Sequence, residues 1–300
     1  MTTYEDARGR TVETPADPDD RLSARIVRFL GRLPVHVILV LIGLFWLVPT
    51  AGLFVTSLLT PSDQAQGGWW NFFSKPSTWT FENYSKMFDN EGIVHALWVT
   101  AQVTVGATIL PILVAALAAY ALAWIDFPGR DWLFLTVVGL LLVPIQMALI
   151  PIFRLYNNLN LFDTVPGLIL FHSAFALPLG IFLLRNFFVG IPKDLMEAAR
   201  IDGASEWRLF FKVVLPLGIP AIASLAIFQV LFVWNDLLVG LVLAQSNQPI
   251  APAIASQLRQ FGSNLDVLAP ASFFSAIIPL TIFALFQRYF VQGLLAGSVK

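Results

Sequence analysis

The chain has 300 residues, of which 57% are hydrophobic and only 12% charged, and its mean hydropathy is +0.74. A soluble domain carries roughly twice that charge, so the composition excludes an ordinary soluble protein and indicates a polytopic membrane protein with one membrane domain. The net charge of -1 gives no basic excess for nucleic acid, and the absence of cysteine excludes disulfides, iron–sulfur clusters and cysteine zinc sites.

Residues 1–33 mix acids, Pro and Thr before a basic cluster and contain no short apolar core with a cleavage site. They are expected to form a disordered cytoplasmic tail, not a signal peptide, with the membrane domain running from 34 to 300. Apolar runs predict an all-α fold of six transmembrane helices at roughly 34–59, 96–124, 132–153, 165–185, 217–244 and 271–290. An even number puts both termini on one side. With the N-terminus inside, the inner segments hold fourteen of the eighteen Lys and Arg residues, and only Lys75, Lys86, Arg154 and Arg259 fall outside. The positive-inside rule therefore predicts that both termini are cytoplasmic. Pro111, Pro144, Pro178 and Pro279 lie inside predicted spans, where each removes a backbone donor and requires neighbouring helices to satisfy the freed carbonyl. Ala107, Ala115, Ala119 and Ala123 form a small-residue stripe on the second span, suited either to packing within the chain or to a partner seam.

The loop after the first span is rich in aromatics, among them Trp69, Trp70, Phe72, Phe73, Trp79, Phe81 and Tyr84. Such rings favour the membrane interface, and a surface for a soluble partner is the other reading. The polar stretch from Gln245 to Pro270 is an equal candidate for that contact.

Between spans four and five, roughly 186–216, the chain is too polar to cross a bilayer and too patterned for a loose linker. Pro192, Asp194, Glu197 and Arg200 sit where they favour a short helix, with Leu195, Ala198 and Ala199 on one face. Asp202-Gly203 stops it, and Ser205 is placed to cap a second short helix that ends before Pro216. The expected product is a rigid elbow with a charged rim; a solvated positive-inside loop is the plainer reading.

Glu197, Ala198, Ala199, Gly203, Leu215 and Pro216 make this elbow similar to the EAA motif of permease subunits in binding-protein-dependent ABC importers, with Val213 in place of the usual Ile, and with Asp202 and Ser205 they are the candidate ATPase-coupling residues. The stretches "TFENYSKMF", "YALAWIDFPGR", "VPIQMALIPIFRLYNNLNLFDTVPGLIL", "WND" and "QRYFVQGLLAGSVK" resemble the carbohydrate branch, of the maltose-transporter type. The resemblance implies coupling helices between spans four and five that dock on a cytoplasmic ATPase. It further implies an ABC ATPase dimer, a second permease subunit forming a heterodimer, an extracytoplasmic solute-binding protein, a sugar substrate and a bacterial plasma membrane location.

No G-x-x-x-x-G-K-[ST] loop occurs, so ATP and Mg are expected on the partner ATPase and no cofactor on this chain, which is not an enzyme. His36, His95 and His172 are scattered without metal-ligand spacing. Asp236, in the outer half of the fifth predicted span, would cost ~2.5–3.5 kcal/mol at a helix centre, which demands a cavity or a partner. Asn235 and Asp236, with Gln229, Gln146 and His172, are candidates for a translocation path, and hydrogen bonding between spans is the competing role. A non-sugar cargo is the nearest alternative. A secondary transporter would want an ion site and repeated halves, and leaves the elbow without a task.

Overall fold

A computed structural model of the chain describes residues 3–5, 11–13, 22–73, 79–261 and 264–296. Its contacts divide it into two units, residues 1–52 and 53–300. In the first unit, β1 (Thr3–Glu5) pairs antiparallel with β2 (Thr11–Glu13), Tyr4 opposite Val12. Helix α1 (Leu22–Leu58) then begins well before position 34. These elements fall within the stretch expected as a tail, 1–33, of which 1–2, 6–10 and 14–21 lie outside the described residues. The sequence contains the reason: Leu22, Ile26, Phe29 and Leu33 fall on one helical face, and Arg25, Arg28 and Arg32 on another. A cluster that reads as tail by charge reads as amphipathic helix by period.

The second unit continues with α2 (Pro61–Gln66), a 3-10 turn (Trp69–Phe73), α3 (Glu82–Asp89) and the long α4 (Glu91–Trp124). Next come α5 (Arg130–Leu140), α6 (Ile145–Asn158) and α7 (Val165–Val189). The elbow is α8 (Lys193–Ile201) and α9 (Glu206–Leu209), joined by a π turn (Phe210–Val214) to α10 (Leu215–Trp234). The unit ends with α11 (Leu238–Leu243), α12 (Ile250–Phe261) and α13 (Leu265–Ala296). All-α is therefore the class, the short β1–β2 pair aside.

Among the described residues, five helical stretches are long and apolar enough to cross a membrane: Pro34–Leu58, Glu91–Trp124, Val165–Val189, Glu206–Trp234 and Leu265–Arg288. A sixth exists only if α5 and α6, bent by 96°, form one broken span. The expected single helix over 132–153 is thus two helices, with the break at Pro144. Pro144 caps α6 in an extended conformation and biases Val143 away from helix, so the chain turns at residues 141–144. Pro111, Pro178 and Pro279, by contrast, sit inside continuous helices.

The α4–α7 pair is the most extensive contact in this unit, and α10 packs against both and against α13. Hydrocarbon removes most of the hydrophobic drive for such pairing, leaving close van der Waals contact to supply it. Ala107, Ala115 and Ala119 are fully buried. Opposite them, a methyl group added to Gly180 would lie 3.0 Å from the Ala115 Cβ and 3.2 Å from Leu225. The alanine stripe is therefore packing within the chain. One core cluster gathers Ala119, Tyr120, Leu184, Phe188, Met196, Leu209, Phe210 and Val214 at the elbow end; another gathers Val99, Val103, Leu168, Phe171, Val239 and Leu243 at the far end.

Candidate functional site

The elbow is built from local rules. Asp194 lies in the first turn of α8 and Arg200 in the last, each matched to the helix dipole. Gly203 has φ of 79°, and around it Gly203 N–H donates to Arg200 O and Ala204 N–H to Ala199 O, each at 3.0 Å. That pair of bonds is a Schellman stop, which wants glycine at the left-handed position. Ser205 then caps α9 by accepting from the Arg208 N–H at 3.4 Å. Helix, stop and cap thus follow the sequence expectation.

The expected end before Pro216 does not. The chain passes through the π turn straight into α10, with Pro216 in its first turn, where a missing N–H costs nothing. The Leu215 N–H reaches back to Phe210 O, so the widened turn absorbs the break that a proline would otherwise impose.

Met196, Leu209, Phe210 and Val214 anchor the elbow in the core, all at 4% exposure or less. The opposite surface of α8 is open: Glu197 and Ala198 are exposed, Leu195 is 44% exposed and Ile201 86%. Asp202, Gly203, Ser205 and Pro216 are exposed as well, whereas Ala199 and Leu215 are half-buried. Ile201 and Leu195 thus leave apolar surface open on a charged helix outside the spans.

A second group of contacts ties the elbow to α4. The Tyr120 hydroxyl donates to Glu206 Oε2, Arg200 Nε donates to Glu206 Oε1 at 3.2 Å, and Arg200 Nη2 donates to Trp124 O at 3.4 Å. Trp124 Nε1 in turn donates to Phe188 O on α7 at 3.2 Å. Tyr120 and Glu206 are not found by sequence reasoning, and Arg200 only as the basic end of a short helix; Tyr120 lies in "YALAWIDFPGR", but no spacing signals a contact across 86 positions.

The residues proposed for a path do not share one surface. His172 and Gln229 are buried at 2% and 7% exposure, while Gln146 and Asn235 are exposed. Asp236 lies past the end of α10, not inside a span, because the expected helix over 217–244 breaks at Asn235–Leu237. Its Oδ2 accepts from Val239 N–H at 3.0 Å and Gly240 N–H at 3.1 Å, capping α11, and stands 3.8 Å from His172 Nε2. A short acid that can bond its own backbone stops a helix and starts another.

Asp163, also unforeseen, is the hub of the far end. With φ of 56°, it accepts from the N–H groups of Gln245, Ser246 and Asn247 at 2.7–2.9 Å, and Asn247 Nδ2 donates to its carbonyl at 2.6 Å. Burial raises its carboxyl, but the N–H groups of Asn247, Gln245 and Ser246 more than offset this and hold it below the ordinary value. Among the described residues no group of three or more His, Cys, Asp or Glu side chains could hold a metal ion.

Residues 20–296 match the family described as "Binding-protein-dependent transport system inner membrane component". The chain is 44% identical over 282 residues to the osmoprotective compounds uptake permease protein GgtD of Synechocystis sp., covering 92% of this chain and 95% of that protein. It is 46% identical over 233 residues to the alpha-glucoside transport system permease protein AglG of Rhizobium meliloti, covering 75% of this chain and 61% of that protein. The trehalose transport system permease protein SugB of Mycobacterium tuberculosis is 37% identical over 231 residues, 75% of this chain and 84% of its own. In three dimensions, a chain of a bacterial ABC transporter that imports the acidic polysaccharide alginate superposes with a TM-score of 0.70 at 22% identity, over 92% of this chain and all of the other, which is a likeness of fold. With nearly its whole length matched by the family pattern and by a relative of the same extent, the chain belongs to the inner membrane components of binding-protein-dependent transport systems.

Proposed function

We propose that this chain is a permease subunit of an ABC importer that passes a sugar or oligosaccharide across the bacterial plasma membrane, with both termini in the cytoplasm. The observation that carries the reading is the elbow: a helix stopped by Gly203, anchored by buried Met196 and Leu209, and presenting Ile201 at 86% exposure beside Glu197 and Asp202. Such a knob fits a cleft on a separate ATPase subunit, which binds ATP and Mg. The ATPase supplies the energy, and the α4, α7 and α10 bundle supplies the moving walls.

The sugar cargo is supported by relatives named for alpha-glucoside and trehalose transport and by a fold shared with an alginate importer. One of those importer structures is in complex with a periplasmic protein bound to an alginate pentasaccharide, which favours a binding protein as the donor here. A second permease subunit completes the path, and the resemblance to maltose-transporter-type permeases favours a heterodimer. The exposed Asn235 and Gln146 offer uncharged donors and acceptors of the kind that a neutral sugar needs. The name of GgtD favours osmoprotective compounds as a second cargo class.

The test is to purify the native chain and Ile201→Asp from the native host and identify the companion proteins by mass spectrometry, then to measure uptake of trehalose, maltose and sucrose. The native chain should bring an ABC ATPase and a second permease, and Ile201→Asp should lose the ATPase. A native chain that comes alone and transports without ATP would sink the reading.

A further inference from the structure

We propose that Glu206 is a positioning residue that fastens the elbow to α4, so that movement imposed on the elbow enters the bundle through α4, while the π turn is the compliant joint to α10. The inference rests on the coupling role given to the elbow above.

Both carboxylate oxygens of Glu206 are used, one by Tyr120 and one by Arg200, and Arg200 continues to the Trp124 carbonyl. The last turn of α8 and the first residue of α9 are thereby joined to the end of α4 at two points. Arg200 and Glu206 have side chains 38% and 47% exposed, and an ion pair in such a place contributes little by itself. The Tyr120 bond differs, because its ring is 5% exposed and stands edge-on to Phe210, with centroids 5.3 Å apart. A charge-assisted bond from a buried, packed donor is the mechanical link of the three.

The continuation into α10 has the opposite character. It is a π turn, a weaker and wider winding that recurs at functional breaks in helices. Beside it lies an apolar cavity of about 170 Å³, lined by Ile112, Ala116, Phe210, Phe211, Leu215 and Ile222 among others. Leu113, Leu117 and Phe211 at its edge are 60%, 41% and 53% exposed, so it is an open cleft in which Phe211 has room to move against α4 without a clash. A stiff link to α4 and a soft one to α10 direct the stroke into α4, which carries it to α7 through their long shared contact.

The experiment uses the assembled transporter in proteoliposomes and reads sugar transported per ATP hydrolysed, with whichever of radiolabelled trehalose, maltose or sucrose the native complex takes up best. Tyr120→Phe should keep the ATPase bound and hydrolysing within about twofold of native, yet lower transport per ATP about tenfold. Glu206→Gln, whose amide oxygen still accepts the Tyr120 proton, should stay within about threefold of native, and Glu206→Ala should match Tyr120→Phe. An unchanged ratio in Tyr120→Phe, or loss of the ATPase from that variant, overturns the proposal. Equal defects in Glu206→Gln and Glu206→Ala overturn it as well. If the Tyr120→Phe chain does not fold into the membrane at all, the two Glu206 variants read the same bond from its other side. A native complex without any ATPase would instead remove the functional reading beneath it, an outcome recognisable before any variant is made.

Discussion

The two ends of the α4–α7 pair use their acids differently. At the far end, Asp163 and Asp236 bond to backbone N–H groups, three for the first and two for the second. At the elbow end, Glu206 bonds to side chains, those of Tyr120 and Arg200. A carboxylate held by backbone fixes the path of the chain, and removing it leaves several N–H groups at once without their protein acceptor. One held by side chains can let go and re-form while the backbone keeps its course. Far-end lesions should therefore appear as lost stability with normal coupling, and elbow-end lesions as lost coupling with normal stability.

The largest effect is expected at Asp163. Asp163→Ala strips three N–H groups of their acceptor and puts alanine at a positive φ, a loss of about 3 kcal/mol read as thermal unfolding in detergent. Asp163→Asn, which keeps one acceptor and tolerates the left-handed conformation, should lose less than half of that. The pH dependence follows from the sign of the shift. The folded carboxyl sits below its ordinary value, so its contribution is complete above the unfolded value of about 3.9 and is lost as the pH falls through the lower folded one. Native protein should lose an increment of stability on acidification past about pH 4 that Asp163→Asn does not show. Normal stability in Asp163→Ala, with impaired transport, would break the contrast between the ends.

Next in size is Gly203→Val, at about 1–2 kcal/mol of strain confined to the elbow. An added Cβ there meets nothing within 4 Å, so the cost is the backbone conformation alone, with φ at 79°. ATP hydrolysis without transport is the expected phenotype, with unfolding of the spans unchanged. Gly203→Asn, which accepts this conformation, should recover most of the coupling. If Gly203→Asn behaves as badly as Gly203→Val, the strain argument fails.

The same division explains what could be read before the structure was known. The elbow was legible because its signals are local: a helix dipole, a glycine stop and a serine cap within about a dozen residues, each with its own residue preference. The spans were legible as apolar lengths, and the alanine stripe as a packing edge. Three things were not. The basic run before Pro34 has the composition of a tail and the period of a helix, two signals that point in opposite directions. Pro144 breaks a run of continuous hydropathy, and Asn235–Asp236 lie between apolar runs that length alone joins into one helix, where there are two. The Asp163 and Glu206 clusters join residues about 80 positions apart, and a single sequence has no local pattern for that.

The smallest effects sharpen the comparison best, since they alter one bond at each end. Asp236→Asn keeps an oxygen for the α11 N–H groups at 3.0 and 3.1 Å, and should cost at most about 1 kcal/mol with transport near normal. A normal yield with a large fall in transport would instead put Asp236 in the path of the cargo. Ser205→Ala removes a cap whose bond is already long, at 3.4 Å, so about 0.5 kcal/mol is expected. That is too little to unfold anything, but α9 is only four residues long and its first residue is Glu206. Loosening the cap releases the turn that aims the Glu206 carboxylate at Tyr120. Transport per ATP in Ser205→Ala should therefore fall by about twofold with no change in the unfolding temperature. An equal stability cost at the far end should leave that ratio unmoved. If both variants, matched in stability, transport equally well per ATP, then the acids at the two ends differ in their partners but not in their roles.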